Sequence, residues 1–116
     1  MNEELIRATA DKLRTVGPAW DQQWFVSTCG TTHCFAGWAL RLSGWGIVEE
    51  QTVLGKRWFM QSPDGERQES GAMYAAAELM ELDRETAFDI FFHIEPGEDV
   101  EEYLAFVGRT LGLQDL

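Results

Sequence analysis

Residues 29–39 hold both cysteines of the chain and one of its two histidines. Thiolate and imidazole are ligands that zinc prefers, so Cys29, His33 and Cys34 are candidate metal ligands. A structural zinc site usually has four ligands, with cysteine pairs two to four residues apart. Here the cysteine spacing is wider, and the second histidine, His93, lies far along the chain. A metal site on these three residues is therefore kept as an alternative, and no cofactor is predicted.

The same segment suggests thiol chemistry. A cysteine at a helix N-terminus beside a histidine has part of the environment that stabilises a thiolate, and Cys34 follows His33 directly. Neighbouring side chains at a helix start point apart, however, and the redox spacing of two residues between cysteines is absent. The simpler interpretation of each cysteine is a small buried hydrophobic residue, so no catalytic residue is predicted.

A structural role explains more of this segment at once. Gly30 permits a tight turn, and the hydroxyl of Thr31 or Thr32 can cap the helix that follows. Gly37 lets another element approach that helix closely, and Trp38 supplies bulk beside it. We therefore interpret residues 29–39 as a framework that positions a helix, rather than as an active site.

The carboxylates of residues 78–102 form the second candidate site. The chain has 20 acidic and nine basic residues and a formal net charge of -11; ten of those acids lie in residues 78–102, where Arg84 is the only Lys or Arg. Spacings of three and four residues place carboxylates on one side of each of three successive helices. The residues predicted to bind a partner are Glu78, Glu81, Glu85, Asp89, Glu98, Asp99, Glu101, Glu102 and the aromatic Trp58.

An extended negative surface can imitate the phosphates of a nucleic acid and occupy a basic groove. In that interpretation an exposed aromatic, Trp58 or Trp45, supplies apolar anchoring. The alternative is a solvated face that keeps the protein soluble. The predicted partner is a protein or protein complex with a basic surface, and a homodimer or other homo-oligomeric regulatory module is an alternative.

The charge balance argues against other partners. A net charge of -11 disfavours direct nucleic-acid binding and docking to an anionic membrane. The N-terminus shows no positive leader before an apolar segment, and no apolar run approaches the roughly 18 residues needed to cross a bilayer. We expect a cytoplasmic protein with reduced cysteines.

The pattern of apolar residues predicts a mainly α, α+β fold in a single domain of residues 1–116. About five short helices are expected around one core, whose bulk comes from 14 aromatic residues. The predicted helices cover residues 3–16, a segment beginning after Thr31 or Thr32, 70–81 (capped by Ser70), 84–93 (capped by Asp83) and 98–111. In the fourth of them, Phe88, Phe91 and Phe92 are expected to share an apolar face.

A small β-hairpin is predicted near residues 52–69. Residues 52–60 are rich in strand formers, and Pro63-Asp64-Gly65 is a favourable tight turn. This turn would let residues 66–69 pair back on the first strand.

The pattern Cys-Gly-Thr-x-x-Cys-x-Ala-Gly-Trp-Ala at residues 29–39 is fairly specific. It is preceded by Trp20 and Trp24 and followed by the turn at 63–65 and an alanine-rich helix at 75–82. In this order of segments the chain resembles a family of small, largely uncharacterised proteins of bacteria and their phages. The resemblance implies a small accessory protein, and small acidic phage proteins often block a host factor. It therefore implies a non-enzymatic inhibitor, with anti-CRISPR action through DNA mimicry as one concrete form.

Overall fold

The computed structural model describes residues 1–17, 20, 34–65 and 72–116, apart from the side chains of Arg57, Trp58 and Ala72. Five helices and a small antiparallel sheet of two strands lie within these residues, which confirms the α+β class. The helices are α1 (Glu3–Val16), α2 (Phe35–Leu42), α3 (Ala72–Leu79), α4 (Arg84–Phe91) and α5 (Val100–Leu111), and the strands are β1 (Gly46–Thr52) and β2 (Gly55–Gln61).

Helix α1 has the predicted bounds, and both of its ends have a local cause. At its start the side chain of Asn2 accepts a hydrogen bond from the backbone N–H of Leu5 at 3.1 Å. At its end Gly17 adopts a φ of 53°, which a side chain would disfavour. The buried residues Ile6 and Leu13 face the core from this helix.

Helix α2 is the central helix of the fold, since it packs against both α1 and α3. Its residues from Phe35 to Leu40 are all buried, so the small side chains there lie against neighbours on every side. The N-cap is Cys34, whose backbone is extended, so the cap predicted at Thr31 or Thr32 is wrong because the helix begins later. Those two threonines themselves lie outside the described residues.

The sheet is a hairpin whose turn differs from the predicted one. Thr52 pairs with Gly55, so Val53 and Leu54 form a two-residue loop between β1 and β2. The strand predicted at 52–60 overlaps β2, and its partner β1 was missed because three consecutive polar residues at 49–51 hide its alternation. The predicted turn at 63–65 is present after β2, and the predicted returning strand, 66–69, lies outside the described residues.

Tyr103 of α5 joins several elements in the core. Its side chain is fully buried, and its hydroxyl donates a hydrogen bond of 2.7 Å to the backbone carbonyl of Ile90. Its ring lies 5.8 Å from that of Phe35 and 5.3 Å from that of Trp20, centroid to centroid. Trp45 is also a core residue, 5% exposed, so its prediction as an exposed anchor is wrong.

Candidate protein-binding surface

Helix α4 lies at the edge of the core and keeps one side in solvent. It begins at Asp83, as predicted, where the carboxylate accepts a hydrogen bond of 2.9 Å from the backbone N–H of Thr86. Ala87, Ile90 and Phe91 are buried, and they lie on one side of the helix. The opposite side is therefore available to a partner.

Three aromatic rings form a row at the border between that solvent side and the core, against which the middle ring, Phe88, packs. Tyr74 of α3 lies 5.5 Å from Phe88, and Phe88 lies 5.4 Å from Phe92, each pair edge to face. We call Tyr74, Phe88 and Phe92 the aromatic row. Phe92 is 58% exposed, and the guanidinium of Arg84 covers the Tyr74 ring at 4.5 Å from its centroid.

The exposure of Phe92 corrects the sequence interpretation of α4. Phe88, Phe91 and Phe92 were expected to share one apolar face; Phe91 is fully buried and Phe88 is partly buried against the core, whereas Phe92 is exposed. The spacing carries a signal that points to the observed arrangement. Phe88 and Phe92 are four residues apart, so they form a row of their own on the helix surface.

Two of the predicted carboxylates border the aromatic row. Glu85 and Asp89 are exposed, and each precedes a phenylalanine of the row by three residues, which makes them neighbours on the helix surface. Neither has an ion pair within the part of the chain that the structure describes. Glu85, Asp89 and the aromatic row together are called the α4 face below.

Three of the other predicted carboxylates, Glu78, Glu81 and Glu102, lie at exposed positions. Glu78 is on the outer side of α3, and Glu81 follows that helix in a left-handed conformation with a φ of 55°. Glu102 is exposed in the first turn of α5. They add negative charge before and after the α4 face in sequence.

The remaining three predicted carboxylates have intramolecular partners. Glu101 receives a hydrogen bond of 2.7 Å from Nε of Arg14, which lowers the pKa of the carboxyl and ties α5 to α1. Asp99 caps α5 by accepting a hydrogen bond from the backbone N–H of Glu102. Glu98 lies 3.2 Å from Nε2 of His93, and its side chain is only 7% exposed. These contacts make Glu98, Asp99 and Glu101 less available to a partner than the sequence alone suggests.

Of the two cysteines, the structure describes Cys34, which is 1% exposed at the start of α2. A thiol buried to this degree is inaccessible to a substrate in solution. Cys29 and His33, the other candidate metal ligands, lie outside the described residues, as does the side chain of Trp58.

The hairpin loop is a second exposed apolar surface. Val53 and Leu54 are fully exposed at its tip. These two side chains stand between polar strand residues, and no aromatic ring or carboxylate row accompanies them in the loop itself. The hairpin tip is therefore exposed and apolar, like part of the α4 face, but it lacks the aromatic rings and carboxylates of that face.

Comparisons with known proteins give no match: no family model, no curated protein and no solved structure is similar to this chain. The resemblance to bacterial and phage proteins accordingly stays a prediction.

Among the described helices, none combines the length and the apolar character that a bilayer crossing demands.

Proposed function

We propose that this chain is a non-enzymatic binding protein whose α4 face docks on a basic surface of a partner protein. The observation that carries the proposal is the exposed aromatic row beside Glu85 and Asp89. Aromatic side chains with neighbouring polar groups are typical of the centres of protein interfaces. The α4 face offers both, with Tyr74 contributed by α3.

The aromatic row supplies the apolar part of the contact. Phe92 projects more than half of its surface into solvent, so a partner pocket that covers this ring removes apolar area from water. Phe88 is half-buried beneath it, and Tyr74 supports Phe88 from the neighbouring helix. The row is thus already packed before binding, which lowers the entropy that a partner contact must overcome.

The carboxylates select the partner by charge. Glu85 and Asp89 are free of described ion pairs, and Glu78, Glu81 and Glu102 extend the negative charge of this half of the chain. Lys and Arg side chains of a nucleic-acid-binding groove complement such a surface and speed association. Occupation of that groove would exclude the nucleic acid, so inhibition, including the anti-CRISPR form, is the narrower prediction of this proposal.

The experiment compares proteins captured from a bacterial lysate by the immobilised wild type and by Phe92→Ser. A protein that only the wild type captures is purified, and its affinity is measured by calorimetry. We expect Phe92→Ala to weaken binding by about 10- to 100-fold, since truncation of an interface aromatic typically has this effect. Raising the salt from about 50 mM to about 200 mM should weaken it too, and duplex DNA should compete.

The matched control is the double variant Val53→Ser/Leu54→Ser, which removes a separate exposed apolar surface and should leave the affinity unchanged. Glu85→Gln/Asp89→Asn tests the charge without disturbing the intramolecular contacts of Glu98 or Glu101. Loss of partner binding in the Val53→Ser/Leu54→Ser variant would overturn the proposal. So would an affinity that does not change with salt, with Phe92→Ala or with Glu85→Gln/Asp89→Asn. So would a wild-type protein whose α4 face is covered by a second copy in solution.

A further inference from the structure

The turn between α4 and α5 brings together a histidine and two glutamates, none of which belongs to the α4 face. Nε2 of His93 lies 3.2 Å from a carboxylate oxygen of Glu98 and 3.8 Å from one of Glu95. The three ligand atoms all lie within 4.8 Å of one another. Within the described residues, this is the one such group of three or more His, Cys, Asp or Glu side chains.

The spacing of these atoms suits a common central ion. Zinc binds imidazole nitrogen and carboxylate oxygen at about 2.0–2.2 Å, so two ligands at a right or tetrahedral angle are about 3.0–3.5 Å apart. The His93–Glu98 distance lies in this range, and the His93–Glu95 distance exceeds it slightly. Glu95 is 66% exposed, so its side chain can rotate to close that gap.

Two of the three side chains are held in position by the fold. The His93 ring stacks on Phe106 of α5 at 3.8 Å between centroids and 14° between planes, and it meets Tyr103 edge to face. That packing aims Nε2 at both carboxylates. Glu98 is more than nine-tenths buried, and a hydrogen bond of 3.2 Å with Nε2 of His93 holds its carboxylate beside the ring.

The ligands also come from one short loop. His93, Glu95 and Glu98 lie within six residues, and the backbone N–H of Glu98 donates to the carbonyl of Glu95 at 3.1 Å across the turn. Gly97 adopts a φ of 78°, which lets the chain fold back. Little chain entropy is therefore lost when an ion joins the three side chains.

We propose that His93, Glu95 and Glu98 bind a divalent transition-metal ion, with water in the remaining coordination positions. An imidazole with two carboxylates suits zinc, cobalt or manganese, whereas Mg²⁺ and Ca²⁺ are bound through oxygen ligands. The ion would join the end of α4 to the start of α5. This site is separate from the cysteine-based alternative and does not depend on the function of the α4 face.

The test titrates the purified full chain with Co²⁺ and follows the visible absorption and the heat of binding. We expect one Co²⁺ per chain, with no intense near-ultraviolet band of the kind that thiolate ligands produce. Glu95→Gln, an exposed substitution, should weaken binding by about 10- to 100-fold, at least as much as the loss of an outer-shell partner does. Glu102→Gln is the matched control, because Glu102 is exposed on the next helix and lies outside the cluster.

Three results would overturn the site. The first is the absence of stoichiometric Co²⁺ binding. The second is equal weakening of binding by Glu95→Gln and Glu102→Gln, which would indicate non-specific binding to surface carboxylates. The third is a thiolate spectrum, which would assign the ion to the cysteines. His93→Gln is a second variant that should abolish the visible spectrum. If it fails to fold, Glu95→Gln still decides the question.

Discussion

Helices α2 and α4 have the same length of eight residues but opposite surroundings. In α2 six consecutive residues, from Phe35 to Leu40, are buried, and the helix packs between α1 and α3. In α4 three residues are buried on one side, and a row of aromatic rings and carboxylates lies on the other. The buried part of α2 has no surface left for a partner, and only the end of the helix, at Arg41 and Leu42, is exposed. Helix α4, in contrast, keeps one side in solvent.

The comparison shows why residue types alone do not locate an accessible surface. Cys34 has a reactive side chain, but it starts the helix that the core encloses. Phe92 has an inert side chain, but it is more than half exposed beside Asp89. Accessibility therefore outweighs intrinsic reactivity here, and phenylalanines in the two helices provide a direct test.

The largest expected difference is between the effects of two Phe→Ala substitutions on the free energy of unfolding. Phe35→Ala removes a fully buried ring that lies against Tyr103, so we expect the free energy of unfolding to fall by about 3–5 kcal/mol. Phe92→Ala removes an exposed ring and should change that free energy by about 0.5 kcal/mol or less. Urea unfolding of both variants measures the two values.

Equal destabilisation by the two substitutions would contradict the contrast between an enclosed and an open helix. Phe35→Leu is the control for volume. It retains much of the buried apolar area and should cost less than Phe35→Ala. A large cost at Phe92 would show that its ring is covered in the native protein and would remove the basis of the proposed α4 face.

A smaller loss of stability is expected from a substitution at Tyr103, which contacts both α2 and α4. The ring of Tyr103 lies against Phe35 of α2, and its hydroxyl donates a hydrogen bond to the carbonyl of Ile90 in α4. Tyr103→Phe keeps the ring and removes this donor, which should lower the free energy of unfolding by about 1–2 kcal/mol. Amide hydrogen exchange should then increase at the end of α4 more than in α2. Equal exchange in the two helices would contradict the assignment of this hydrogen bond to α4.

The contrast between the helices also explains what the sequence predicts well. Periodicity predicts α1, and the cap at Asp83 predicts the start of α4, because both signals are local in the sequence. Strand β1 was missed, because Glu49 and Glu50 give it a polar appearance that only pairing with β2 offsets. Local sequence cannot tell whether a phenylalanine of an amphipathic helix is covered by a neighbouring element.

The candidate sites were only partly predictable for the same reason. The spacing of Glu85 and Asp89 shows that they share a side of the helix, which the structure bears out. The pairing of Glu101 with Arg14 joins residues 87 positions apart, so nothing in the local sequence reveals it. The cluster at His93 was also not predicted, because only the turn at Gly97 brings its two glutamates to the histidine ring.

The smallest effect concerns pH and the different starts of the two helices. Hydrogen bonds from Thr86 lower the pKa of Asp83 at the start of α4, whereas the Cys34 side chain makes no capping hydrogen bond at α2. Because the folded-state pKa of Asp83 is below its unfolded-state pKa, its contribution to stability is present above the unfolded-state pKa and is lost as pH falls through the folded-state pKa.

The Asp83→Asn variant keeps a capping oxygen that does not titrate as a carboxylate, so the stability of this variant should fall less between about pH 7 and about pH 3. Urea midpoints across this range measure the difference, with Glu85→Gln as the control for removal of a nearby charge. Since Glu101 loses its contact with Arg14 in the same acid range and for the same reason, the variant should retain part of the acid sensitivity. An unchanged pH profile would mean that the cap of α4, like that of α2, does not depend on a charged side chain.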